Sequence, residues 1–129
     1  MVKVAPLFVG PEFVTKVWLT ERATNLVDEH CRKKGKAYRG VYLKELARWC
    51  MTGFAVQENA GHVRHEGQGV YRLDLKGDLF RLIGFYYGPG KERFIIIDGF
   101  LKRGQRLDAT DRERIGRVAT IRQNRQWIY

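Results

Sequence analysis

Three histidines, two cysteines and a large excess of Lys and Arg are the residues with which this chain could do chemistry. His62 and His65 stand close together in His62-Val63-Arg64-His65. An imidazole titrates near enough to neutrality to take or give a proton, so by residue type these two are the best general-base candidates. Their polar, glycine-punctuated surroundings also suit ordinary exposed histidines. His30 falls on the apolar face of a helical pattern and reads as a packed histidine. Cys31 and Cys50 are too few and too far apart for a disulfide framework and lack the spacing of a zinc knuckle or redox motif, so they are expected as reduced core residues. With no other His, Cys and carboxylate pattern of ligand spacing, neither a metal nor a cofactor is expected.

The cations are the stronger signal. Twenty-four Lys plus Arg against 14 Asp plus Glu leave a formal charge of +10, which favours a polyanionic partner, nucleic acid first, over a surface that is basic only for solubility. Arg81 lies on the strand face opposite Phe80 and Leu82, where its guanidinium could hold a phosphate through two donors. The competing reading pairs it structurally with Asp74 or Asp98 on neighbouring strands. Lys102 and Arg103 follow an apolar strand and either neutralise a reacting phosphate or only bind a nucleic-acid backbone. Arg72, Arg106, Arg117 and Arg122 are further candidates for nucleic-acid contact. Tyr86 and Tyr87, beside Gly88-Pro89-Gly90, and the terminal Trp127-Ile128-Tyr129 could stack bases. Trp18 and Trp49 sit at apolar periodic positions and read as core.

These residues need elements to position them. A chain of 129 residues, 44% apolar, suits one domain over 1–129. Residues 1–11, with Pro6 and Pro11, form a lead that is either flexible or an edge strand. Residues 13–19 alternate as a first strand. Thr20 can cap a helix whose Ala23, Leu26, Val27, His30 and Cys31 share one face before a stop at Gly35. A second helix is predicted over 41–52, with Leu43, Leu46, Ala47, Cys50 and Phe54 on one stripe, making an αα-hairpin with the first. Residues 56–69 read as loop. Tyr71, Leu73 and Leu75 alternate with Arg72 and Asp74 as a strand with one wet face; residues 79–87 and 94–98 follow across glycine turns as an antiparallel meander. Phe94-Ile95-Ile96-Ile97 is apolar on both pleat faces, as a central strand covered on both sides would be. A last helix begins near Asp108 or Thr110 and carries Ile115, Val118 and Ala119 inward. The fold class is α+β. No secretory signal and no span of membrane length is present, so a cytoplasmic protein with no membrane partner is expected.

Taken together, Tyr71-Arg72-Leu73-Asp74, Leu79-Phe80-Arg81-Leu82-Ile83 and Ile95-Ile96-Ile97-Asp98-Gly99-Phe100-Leu101-Lys102-Arg103-Gly104-Gln105 resemble the RelE/HigB superfamily of toxins from type II toxin-antitoxin systems. Members of that superfamily show an aromatic-Arg-aliphatic strand, an aliphatic run and a Gly-Phe-x-Lys-Lys-like segment before the last helix. The resemblance covers about residues 69–123, and where many relatives have Glu-Leu-Arg this chain has Arg72-Leu73-Asp74. It implies a RelE-like fold: a two-helix hairpin after a first strand, an antiparallel meander, and a C-terminal helix packed on one sheet. It also implies an mRNA interferase, an endoribonuclease that cuts messenger RNA on the ribosome by attack of the ribose 2′-hydroxyl on the adjacent phosphate, and an antitoxin protein as cognate partner. Arg81, Lys102, Arg103, His62 and His65 are then the catalytic candidates. The alternative is a non-catalytic nucleic-acid- or protein-binding module on the same fold.

Overall fold

The computed structural model describes every residue except 103 and 105. In chain order the elements are β1 (Val2–Phe8), β2 (Lys16–Thr20), α1 (Glu21–Lys34), α2 (Tyr38–Cys50), α3 (Phe54–Asn59), β3 (Val63–His65), β4 (Tyr71–Asp74), β5 (Phe80–Tyr87), a 3-10 turn at Pro89–Lys91, β6 (Arg93–Leu101), α4 (Ala109–Gln123) and β7 (Trp127–Ile128). The protein is mixed α+β, with one seven-stranded sheet in the order β3-β4-β5-β6-β2-β1-β7. β2 and β6 run parallel, as do β1 and β7, and the remaining neighbours are antiparallel.

The doubly apolar run takes the central place its pattern demands, because β6 lies fourth of seven strands. Phe94 and Ile96 join Val17, Leu19, Leu73 and Leu82 beneath α1 and α2, whose Ala23, Val27, Leu46 and Trp49 close that side. Ile95 and Ile97 join Ile83, Phe85 and Phe100 beneath Val118, Ala119 and Ile121 of α4. Each such side chain, buried in full, contributes about 1.5–3 kcal/mol, so both faces of the sheet are strongly held. A bulge between Ile83 and Gly84 shifts the β5–β6 register, pairing Ile83 with Asp98 and Gly84 with Ile96. It turns the buried Asp98 carboxylate to Arg117 of α4 (2.7 Å) and Arg22 of α1 (3.0 Å).

The helix starts follow their caps. Thr20 Oγ1 accepts from the Ala23 N–H (3.1 Å) and donates to the Ile97 carbonyl (2.8 Å), and Asp108 accepts from the Asp111 N–H (2.8 Å). Several boundaries differ from the sequence pattern. The lead is an ordered strand, β1, and the strand expected over residues 13–19 starts at Lys16. α2 begins at Tyr38, and its buried stripe is Tyr42, Leu46, Trp49 and Cys50, since the two large rings take the core side in place of Leu43 and Ala47. The expected loop over residues 56–69 contains most of α3 and all of β3. The face of β4 expected to be wet is covered, because Arg72 and Asp74 are both buried against each other. Cys31 and Cys50 are buried free thiols, and burial pushes Cys50 up to about 12. No helix among the described residues is long and apolar enough to cross a membrane.

Candidate nucleic-acid interface

Strand pairing gathers the charged residues of β3, β4 and β5. Arg64 lies opposite Arg72, and Asp74 lies opposite Arg81. Partners directly across a ladder share a face, as do residues two apart along a strand. These four side chains therefore occupy one face, the α4 side to which Ile83 and Phe100, the onward partners of Arg72 and Arg81, belong. The turn from β4 to β5 brings Lys76 and Asp78 to the rim, and Lys102 is fixed behind them by its N–H bond to the Leu79 carbonyl (2.9 Å). Together with His62 they line an open cleft of about 440 Å³.

Within the cleft the buried Asp74 sits between two guanidiniums. Arg72 donates to it through Nε (3.1 Å) and Nη2 (3.2 Å), and Arg81 Nε lies 3.3 Å from the same carboxylate. Glu66 also reaches Arg72, at 3.4 Å. Arg81 Nη1 donates to the Asp78 carbonyl (3.0 Å), while its buried Nε makes no hydrogen bond among the described residues. Arg64, Lys76 and Lys102 make no salt bridge among the described residues. Five cations thus face two carboxylates, Asp74 and Asp78. Such an imbalance in a concave wall raises local anion concentration.

Asp78 is the hinge of this arrangement. Its carboxylate accepts from His30 Nε2 (3.0 Å), from the Tyr38 hydroxyl and from the Phe80 N–H (2.7 Å). Burial alone would raise this carboxyl, but those three hydrogen bonds outweigh it and hold the group below its ordinary range. Burial, helped by the same carboxylate, pushes the Tyr38 hydroxyl up to about 12. His30 also stacks on Phe80 at 4.8 Å, so it is packed, as its position on the apolar face of α1 demands.

Of the residues singled out from sequence, Arg72, Arg81, Lys102 and His62 come together in the cleft. His65 does not: paired with Tyr71, it lies on the opposite face, where its Nε2 accepts from the Gly69 N–H (3.2 Å). Tyr86 packs against Phe54 and Phe94 and donates to Gln57 Oε1 (2.8 Å), while Tyr87 stands at the far end of β5 against Trp127 and Tyr129. Arg117 is bound to Asp98, the Arg122 guanidinium lies over Gly69, and Arg106 is exposed between β6 and α4. Arg103 lies outside the described residues. Sequence reasoning missed Arg64 and Lys76 as lining residues. Both flank the β3–β4–β5 turns, and recognising β3 as a strand would have put Arg64 beside Arg72. Among the described residues no three His, Cys, Asp or Glu side chains gather as a metal-binding group. Comparison with protein-family models, with curated proteins and with solved structures finds no match to this chain.

Proposed function

We propose that the cleft binds the phosphates of single-stranded RNA and that the chain is a RelE/HigB-type endoribonuclease, a cytoplasmic toxin that cuts messenger RNA at the ribosome and is restrained by an antitoxin protein. The observation that carries the reading is the convergence of Arg64, Arg72, Lys76, Arg81 and Lys102 with His62 around one open cleft. The order of elements supports it in part: β2 is followed by α1 and α2, then by β4, β5 and β6, and by α4 on the opposite face, with β1, α3, β3 and β7 as additions to the order that the resemblance implies.

In the reaction this chemistry implies, His62 takes the ribose 2′-hydroxyl proton and the 2′-oxygen bonds to the adjacent phosphorus. The bond from phosphorus to the 5′-oxygen then breaks, and the leaving oxygen takes a proton from Lys102. The Arg81 guanidinium and the cations without a salt bridge stabilise the charge that grows on the phosphoryl oxygens. Induced expression of the wild type and of the Arg81→Ala, Lys102→Ala double variant, followed by growth and by mapping of cellular mRNA 5′ ends, tests this. Growth arrest with new ends is expected for the wild type. A loss of about 100-fold or more in cleavage is expected for the variant, in line with the removal of transition-state donors. No new ends from the wild type would rule the nuclease out.

A second reading is a non-catalytic RNA-binding module. It is favoured by the engagement of Arg72 and Arg81 by Asp74, which leaves less of each guanidinium for a phosphate. A module of this kind would lose affinity without any cleavage to lose.

A further inference from the structure

β6 is flanked unevenly. β5 pairs with it from Arg93 to Leu101, whereas β2 pairs only with Arg93, Phe94, Ile95 and Ile96. The last bond on the β2 side runs from Thr20 Oγ1 to the Ile97 carbonyl (2.8 Å), and the chain then leaves the sheet as α1. Residues 98–101 of β6 therefore have no strand beside them on that side among the described residues, although β6 lies fourth of seven in the sheet.

The ladder with β5 decides which backbone groups are left open. The Lys102 N–H donates to the Leu79 carbonyl (2.9 Å), so Phe80 and Leu101 face each other as a non-hydrogen-bonded pair. In an antiparallel ladder the N–H and C=O of such a residue point away from the partner strand. The Leu101 N–H and C=O thus point to the open side, as does the Gly99 C=O two residues earlier, while the Gly99 N–H is taken by Asp98 Oδ1 (2.8 Å). Gly99 and Leu101 line a groove of about 280 Å³, walled by Leu26 and Lys33 of α1 and by Arg114 of α4.

The surroundings of this groove are basic. Lys33 and Arg114 stand in its walls, half-exposed Arg22 and Arg117 lie at its Asp98 end, and Lys102 follows Leu101 at the other. The carboxylates there are already engaged: Glu29 is 3.3 Å from Lys33, Asp98 lies between Arg22 and Arg117, and Asp111 is 3.8 Å from Arg114.

We propose that the open edge of β6 at Gly99–Leu101 takes an extended acidic segment of a partner protein as an added strand, seated between α1 and α4. The proposal goes beyond the cleft and holds whether or not the cleft binds RNA. Two features select the occupant. Backbone N–H and C=O groups spaced along a strand edge match those of another strand, which a nucleic acid does not carry. The surplus of cations favours carboxylates on that strand, and it opposes a second copy of this chain, whose own edge would bring Lys33 and Arg114 against themselves. Leu26 and the exposed Leu101 side chain give its apolar residues a surface to pack on.

The test measures binding of a short peptide of alternating valine and glutamate, the same peptide N-methylated at alternate residues, and a valine–lysine counterpart, together with amide hydrogen exchange of the wild type. In the free protein the Leu101 amide is expected to exchange freely while those of Phe100 and Lys102 are protected, and the glutamate peptide is expected to slow Leu101 by about tenfold or more, the effect of one added hydrogen bond. N-methylation is expected to weaken binding by about tenfold or more, and Lys33→Glu with Arg114→Glu to reverse the preference between the glutamate and lysine peptides. A Leu101 amide already protected in the free protein, no binding of the glutamate peptide, or equal binding of the N-methylated or lysine peptide overturns the proposal. So does protection of Leu101 by oligouridine in place of the peptide, which would give this edge to RNA. The exchange comparison uses the wild type alone and stands even if the double variant fails to fold.

Discussion

Asp78 ties the cleft to the helices beneath the sheet. Its carboxylate is held by His30, Tyr38 and the Phe80 N–H, and its carbonyl holds Arg81. Because its folded pKa lies below the unfolded value of about 3.9, the fold favours the ionised form. That stabilisation is complete above the unfolded value and is lost as pH falls through the folded one. Asp78→Asn is expected to cost about 1.5–3 kcal/mol at neutral pH, the worth of hydrogen bonds to a charged group, and to flatten the acid limb of the stability profile. Denaturant unfolding near pH 7 and below pH 4 measures both, and equal stability of the two proteins at pH 7 would refute the role. None of this was readable from sequence, since His30, Tyr38 and Asp78 are joined only by the packing of α1 and α2 under the β4–β5 turn. Arg81 was legible as a strand arginine, and its pairing with Asp74 stood among the structural alternatives. Arg72 and Asp74 were misread as solvent-facing because their mutual neutralisation lets a charged alternation be buried.

Elements with strong local signals were legible and those without were not. α1 and α4 carry side-chain caps at Thr20 and Asp108, and β6 has apolar residues on both faces. α3 has six residues and no side-chain cap, so nothing in its text separates it from loop. β1 was obscured by Pro6, which is tolerated because β7 covers only Val2 and Lys3 and leaves the rest of β1 as a sheet edge. The β5–β6 bulge is a device of the same scale. At Gly84 a Cβ would overlap the Ile95 carbonyl, so the two strands approach more closely there than any other residue allows. Gly84→Ala is therefore expected to destabilise the protein by about 3 kcal/mol, the upper part of the overpacking range, with urea unfolding as the measurement. A change of less than about 0.5 kcal/mol would mean that the bulge does not depend on glycine.

For the whole molecule the net charge of +10 sets the outward behaviour. If the cleft tracks RNA phosphates, affinity must fall linearly with the logarithm of salt concentration, by about 0.7 in slope for each contact to a single strand. Arg64→Ala and Lys76→Ala are each expected to lower that slope by about 0.7, since neither residue is tied to a carboxylate among the described residues. An unchanged slope for both would remove them from the interface. The parallel joining of β2 to β6 has a consequence in time. Thr20 bonds to Ile97 across 77 residues of chain, and no local hairpin can stand in for that contact. Contacts of such separation form late, after the loop-closure entropy of the intervening chain has been overcome. During synthesis, therefore, β1, β2 and the first helices emerge well before the strand that seats them. Lys102, one residue beyond β6, therefore joins the cleft only after β3, β4 and β5, which frame its other cations, have already been made.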